Sequence, residues 1–336
     1  MILAGDLYDK SVPSAEAVNL FDDFLYCLAQ RKLQVFVISG NHDSADRVAF
    51  GARLLDQSGI HLSPVYRGTV RPVILTDAEG EVNFYMLPFV KPIHVRNAFP
   101  DAEISSYTDA VRTAVEQMAV DPSKRNVLIA HQFVTGAERS ESEDVSVGGL
   151  DNVDASVFEP FDYVALGHIH KPQNIVADKI RYCGSPLKYS LSEAENIKSV
   201  TLAELGSKGS LSVRTVPLIP LRDLREIRGN YMEVTSRSNY LGSNREDYIH
   251  ITLTDEEDIP EVMNRLRVIY PNLMSIRYDN LRTRSQSILG GIQELERKSP
   301  LDIFGELYEK QNGTPLSEVQ RQYCTNLIEG IWEDKT

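Results

Sequence analysis

Four short stretches of the chain each end an apolar run in residues able to hold a cation or move a proton: GDLYD at 5–9, GNHD at 40–43, AHQ at 130–132 and GHIH at 167–170. They bring forward Asp6, Asp9, Asn41, His42, Asp43, His131, His168 and His170. One histidine at a strand end is most often a satisfied structural residue, but four such ends in one chain are not explained that way. A mixture of carboxylate, amide and imidazole suits borderline divalent ions better than a thiolate zinc site does. In GHIH the two imidazoles stand two residues apart, so in an extended segment they project to one side. From there they can reach two ions about 3.5–4 Å apart, whose separation one shared carboxylate would fix. Gly5, Gly40 and Gly167 let backbone approach closely at these ends. His61, His94 and His250 follow no such pattern and are given no role.

The elements that must position these residues read as α/β. Met1–Ala4 is the end of a buried strand, and LQVFVIS is a second one leading into GNHD. Residues 14–31 carry apolar side chains at helical spacing, with Ser14 as N-cap, and a further helix is expected over 45–57. Strands are expected at 69–75 and 81–87, turning at DAEG, then a helix at 105–119. NVLIAHQF and FDYVALGHIH are strands that end on histidines, with a long acidic polar loop at 135–150 between them. Loops of that length inside a compact domain are more often functional than idle. Short strands follow at 174–184, 198–204 and 211–217. VPLIPLRDLREI marks a boundary near 220, followed by a small α+β unit: strand 247–253, helix 259–269, strand 273–279. Amphipathic helices at 299–310 and 315–333 close the chain.

Composition narrows the function classes. With 336 residues the chain has room for one large domain and additions. Lys and Arg total 35 against 48 Asp and Glu, a net charge of −13, and neither the first 220 residues nor the remainder is basic. A protein that grips nucleic acid alone shows a basic footprint, so any action on DNA needs metal ions or a partner to supply positive field. No apolar run approaches the roughly 20 residues that span a bilayer, and no signal-type segment opens the chain. The three cysteines are far apart and read as reduced, which points to the cytoplasm. The absence of a GxxxxGK[ST] loop excludes ATP binding by that route.

The series GD…GNHD…H…GHIH resembles the calcineurin-like metallophosphoesterase superfamily. Within it, TGAERSESE, VGGLDNVDASVFEPFDYVALGHIHKPQ and YCGSPLKYSLSEAENIK resemble SbcD-type DNA exonuclease subunits, and the resemblance runs over essentially the whole chain. It implies an α/β fold: a metallophosphoesterase sandwich of two mixed β-sheets flanked by helices over 1–220, a small α+β capping domain over 221–295 and a helical partner-docking segment over 296–336. It also implies residue roles. Asp6 would bridge two divalent metal ions, Mn2+ by preference. Asn41, His131 and His168 would complete one site and His170 would serve the other. His42 would contact the scissile phosphate as general acid or charge stabiliser toward the leaving oxygen, with Asp9 orienting it. Asp43 reads as a helix N-cap.

The activity so implied is two-metal phosphodiester hydrolysis: a 3′–5′ double-strand exonuclease that also cuts hairpins and ends, in DNA repair and recombination. The partners implied are double-stranded DNA ends, an SbcC-type coiled-coil ATPase docked on the apolar faces of 299–333, and a second copy of the chain, with helix 14–31 as one candidate surface. In one respect the sequence departs from the family pattern, which opens with Asp-x-His on its first strand, whereas this chain starts at the second block. The expectation is that the missing block lies upstream of Met1, and that the 336-residue chain holds one ion well and the second weakly. Impaired catalysis and an open sheet edge that lowers stability would follow. Two other readings stand beside this one. The chain could be a phosphomonoesterase or cyclic-nucleotide phosphodiesterase on the same scaffold, or a non-catalytic or weakly active partner-binding subunit.

Overall fold

The structure, a computed structural model, describes residues 1–143, 151–283, 300–312 and 315–333. The 144–150 part of the acidic loop and residues 284–299 lie outside the described residues.

Strand β1 (Ile2–Ala4) is followed by helix α1 (Ala15–Gln30) and strand β2 (Val35–Ile38). Single-turn helices α2 (Ala45–Val48) and α3 (Ala52–Leu55) then lead to strand β3 (Ile60–Leu62). The three strands form a parallel sheet with β2 in the middle. All four residues of β2 are buried, as a strand covered on both faces requires. Helix α1 begins where the Ser14 hydroxyl accepts from the Ala17 N–H at 3.2 Å, and it packs Leu25 and Leu28 against Val35, Val37 and Ile60. The single helix expected over 45–57 is instead two short ones. Between them Gly51 takes φ +75°, a left-handed conformation that no α-helix continues through.

The second sheet begins with a hairpin of β4 (Val73–Asp77) and β5 (Gly80–Leu87), with Asp77 opposite Gly80. Helices α4 (Pro92–Ala98) and α5 (Tyr107–Glu116) precede β6 (Arg125–His131). A two-residue parallel pair, β7 (Phe133–Val134) and β8 (Asn152–Val153), leads on to β9 (Tyr163–Gly167), β10 (Gln173–Val176) and β11 (Ile180–Tyr182). The strand order is β10-β11-β9-β6-β5-β4, parallel in its centre and antiparallel at both edges. Val95, Val111, Ala114 and Val115 of α4 and α5 belong to the large core cluster with Leu128 and Leu166 of the sheet. A separate cluster joins the two sheets: Phe36 and Ile38 of β2 pack against Met86 of β5 and Ile129 of β6, and the Phe36 and Phe84 rings stack 4.4 Å apart. This is the sandwich. Its consequence for the site lies in register: His131 pairs with Gly167 across β6 and β9, and Ala4 pairs with Ile38 across β1 and β2. Four motif-bearing strands therefore end at one edge.

A hairpin of β12 (Ser199–Leu205) and β13 (Leu211–Pro217) follows. Then comes β14 (Leu224–Gly229), α6 (Tyr231–Thr235), α7 (Arg237–Tyr240), β15 (Tyr248–Leu253), α8 (Val262–Arg267) and β16 (Leu273–Tyr278). The last three strands form a parallel sheet with its own core, in which Val234, Ile249, Ile251, Leu266 and Tyr270 are buried. Strand β14 falls inside the segment that reads as a boundary. As an edge strand it buries only its first and last residues, Leu224 and Gly229, so it carries little apolar signal. Helices α9 (Pro300–Asn312) and α10 (Glu318–Glu333) end the described chain, with Phe304, Leu307, Val319, Tyr323 and Leu327 exposed. Among the described residues no helix is long and apolar enough to cross a membrane.

Candidate metal centre

At the shared edge, ligand atoms of Asp6, His131 and His168 lie within 4.8 Å of one another. The amide oxygen of Asn41 sits between the two rings, 2.9 Å from His131 Nε2 and 2.9 Å from His168 Nδ1. Asp6 Oδ2 is 3.0 Å from the same His131 Nε2. The other nitrogen of His131, Nδ1, donates to the carbonyl of Ala4 at 2.7 Å. That bond places the proton of a neutral ring on Nδ1, so Nε2 offers a lone pair toward two oxygens that also offer lone pairs. One additional proton on Nε2 could serve one oxygen at a time, whereas a divalent cation serves every donor at once. The donor set therefore fits a borderline divalent ion.

In the absence of a cation, the Asp6 carboxylate favours the additional proton on His131. Burial pushes the Asp6 carboxyl up, but the charge and hydrogen bond of His131 outweigh it and leave the group at about 2. Burial likewise pulls the His131 imidazole down, and the facing Asp6 carboxylate overrides it, leaving the ring above its ordinary value. The Asp6 charge acts on His168 too, but there it is outweighed. Burial first, and then the neighbouring His131 charge, hold it down at about 3, a neutral ring with ligand capacity.

The backbone is shaped to this cluster. Gly5 has φ +88°, and a Cβ there would meet His131 Nδ1 at 2.4 Å. A Cβ at Gly40 would stand 2.1 Å from Asp6 Oδ1, and one at Gly167 would stand 1.8 Å from the carbonyl oxygen of Ala4. Two non-glycine residues of the candidate centre, Asp6 at φ +48° and His168 at φ +96°, also occupy the positive-φ region. Such conformations persist only where surrounding structure over-determines them, and they concentrate at functional sites.

The remaining candidates fall around this centre. The backbone N–H of His42 donates to Asp6 Oδ1 at 3.0 Å, tying His42 to the same carboxylate. The His42 ring meets Asp9 through Asp9's backbone carbonyl, 3.1 Å from Nδ1, while the Asp9 carboxylate is exposed beside Lys10. Asp43 does not cap α2, whose N-cap is Ser44. Its carboxylate instead accepts from the N–H groups of Leu7, Tyr8 and Gly40, between 2.8 and 3.1 Å, and so staples the first loop to the second. The N-cap reading fails because the acceptor's partners lie across the fold rather than in the next turn. His170 stands apart from the three-ligand group, with Nδ1 2.8 Å from the Ser142 hydroxyl. Sequence reasoning also passed over Phe89, whose ring stacks on His168 and meets His131 edge-on. The available signal was its position just past the end of β5.

A two-sheet sandwich that gathers a carboxylate, an amide and imidazoles at the carboxyl ends of its strands has the form of a metal-dependent phosphoesterase. The family model described as calcineurin-like phosphoesterase matches residues 1–172, and the one described as type 5 capsule protein repressor C-terminal domain matches residues 220–312. The chain is 32% identical over 338 aligned residues to the SbcD component of the SbcCD nuclease of Staphylococcus epidermidis, covering 98% of this chain and 87% of that relative. The chain belongs to the calcineurin-like phosphoesterase family, in its SbcD-type branch.

Proposed function

We propose that the chain is the nuclease subunit of a two-component DNA-processing assembly, hydrolysing phosphodiester bonds at double-stranded DNA ends. The observation that carries this reading is the convergence of Asp6, Asn41, His131 and His168 from four strand ends onto one point. Asp6, Asn41, His131 and His168 would hold one divalent ion, and Asp6 with His170 the second, Mn2+ by preference. Bound there, the ions would supply positive charge against the phosphate oxygens and a water of lowered pKa as nucleophile. That charge offsets part of the chain's net charge of −13, at the place where the substrate backbone must approach.

The chain's own residues do the rest. His131 is fixed by the Ala4 carbonyl with Nε2 aimed into the cluster. His42, held by its backbone to Asp6 and by its ring to the Asp9 carbonyl, would give a proton to the leaving oxygen. Asp9 thus orients His42 through its main chain.

The relative's name places it in a complex called SbcCD. For this chain the corresponding proposal is an SbcC-type ATPase partner seated on α9 and α10, whose exposed apolar residues offer it a docking face. Residues 1–220 would be the nuclease domain, 221–295 the capping domain and 296–336 the docking segment, with the chain acting as a homodimer. Supporting the division, β14 to β16 have a core separate from the sandwich. The test compares purified chain on linear duplex DNA and on nitrophenyl phosphate, with added Mn2+ and with His131→Ala as control. Duplex degradation lost in His131→Ala is expected. Hydrolysis of the monoester alone would assign the phosphomonoesterase reading instead.

A further inference from the structure

His170 is enclosed by three buried charged side chains. Glu193 is 0% exposed, Lys198 4% and Glu143 7%. Glu143 Oε1 accepts the His170 backbone N–H at 2.5 Å, and Lys198 Nζ donates to the His170 carbonyl at 2.8 Å. Lys198 also donates to Glu193 Oε2 at 2.5 Å and to Ser185 Oγ at 2.8 Å. The other Glu193 oxygen, Oε1, accepts from Ser142 Oγ at 2.5 Å and lies 3.3 Å from His170 Nδ1. Ser142 Oγ is itself 2.8 Å from His170 Nδ1. Burying two carboxylates and an ammonium is costly unless every lone pair and proton is used.

The order of protons in the cage follows from its shortest contacts. An ionised carboxylate only accepts and an ammonium only donates. Ser142 Oγ also meets the Ser140 hydroxyl at 2.9 Å, but its 2.5 Å approach to a Glu193 oxygen commits its one proton there, leaving Ser142 Oγ to accept. Both groups facing His170 Nδ1, the serine oxygen and the carboxylate oxygen, are acceptors, so the ring proton sits on Nδ1. Nε2 is then the nitrogen with the bare lone pair, on a side chain that is 23% exposed. An imidazole whose second nitrogen is fixed by a carboxylate or carbonyl is the arrangement of metal-binding histidines, and here it repeats the His131–Ala4 bond on a second ring.

We propose that Ser142 and Glu193, with Lys198 as their charge partner, are positioning residues that lock His170 in its Nδ1–H tautomer and present Nε2 to a divalent ion. The ion-binding half rests on the reading of His170 as a ligand given above; the tautomer half stands without it. The acidic loop and the SLSEAENIK segment thereby act on the site from outside the strand-end motifs.

The test uses the full chain labelled with 15N-histidine, metal-free, at a pH where His170 is neutral. Ring 15N–1H correlations report which nitrogen carries the proton, and His170→Ala assigns the signals. The wild type should show Nδ1–H. Ser142→Ala should keep Nδ1–H, now held by Glu193 Oε1 alone at 3.3 Å, with the Nδ1 proton resonance moved upfield as the shorter acceptor is lost. Glu193→Gln should invert it, because the amide oxygen must turn to Lys198 and its NH2 then faces His170. In parallel, Mn2+ titration followed by electron paramagnetic resonance should show the ion that depends on His170 bound about 10- to 100-fold more weakly in Glu193→Gln. Where Glu193→Gln fails to fold, the wild-type tautomer decides by itself, and the Nδ1 proton shift in Ser142→Ala decides the part of Ser142. An Nε2–H tautomer in the wild type, or an unchanged Nδ1–H tautomer in folded Glu193→Gln, overturns the proposal. Wild-type Mn2+ binding by His170→Ala overturns the ligand reading of His170 instead, and the tautomer measurement still decides the role of Ser142.

Discussion

The Nδ1 of His131 donates to the carbonyl oxygen of Ala4 at 2.7 Å, a bond that runs from the six-stranded sheet to the three-stranded one at the point where both end. One ring thus joins the halves of the sandwich and turns its other nitrogen toward Asp6 and Asn41. His131→Ala should abolish Mn2+ binding at the cluster. It should also lower the stability of the metal-free chain by about 1–3 kcal/mol, because the Ala4 carbonyl loses its partner. Calorimetric Mn2+ titration and chemical unfolding without metal measure the two effects separately.

Gly40→Ala should separate metal binding from folding. The new Cβ would fall 2.1 Å from Asp6 Oδ1, the end of a side chain that can move aside, although Asp6 N at 2.4 Å makes the fit tight on the backbone side too. Mn2+ affinity should drop by about tenfold or more as the carboxylate is displaced. Gly167→Ala should be more severe, since its Cβ meets the Ala4 carbonyl at 1.8 Å and backbone must shift. Melting temperature should order the three proteins as wild type, then Gly40→Ala, then Gly167→Ala.

The loop after His131 is held by a buried phenol. Tyr182 donates from its hydroxyl to the Gln132 carbonyl at 2.6 Å and accepts from the Val134 N–H at 2.8 Å. Tyr182→Phe keeps the ring and leaves two buried backbone groups unpaired, at a cost of about 1–3 kcal/mol. Hydrogen exchange at the Val134 amide should quicken first. An amide that exchanges as slowly as before would show that the loop does not depend on this bond.

Asp109 provides a pH dependence of defined sign. Hydrogen bonds from the Ser106 and Ser105 hydroxyls, where α5 begins, hold its carboxyl below its ordinary value. A depressed folded-state value means that its stabilisation is present above the ordinary aspartate pKa of about 4 and is lost as pH falls through the folded value. The melting-temperature gap between wild type and Asp109→Asn should be widest near about pH 6 and should close toward about pH 2–3. A gap that stays constant over that range would exclude the charged form of Asp109 as its source.

Much of the centre was legible in sequence because its grammar is local. An apolar run that stops at Gly-Asp, Gly-Asn-His or Gly-His-x-His says both that a strand ends and that ligands begin, and the Ser14 cap of α1 is written the same way. Hydrophobic period and turn residues act over a few positions, so they determine where β2, β6 and β9 lie without reference to the rest of the chain. What they do not contain is which loops meet. Asp43 looks like a helix cap until the fold sets the Leu7 and Tyr8 amides against it, 36 and 35 residues away. Glu193 and Ser142 look like polar loop residues until they close on His170. These roles depend on pairing over long stretches of chain and on the exclusion of water around charges, which only the packed sheets supply. Residue type and strand end were determined by the sequence itself; the proton on each ring, and the partner holding it there, were decided by tertiary structure.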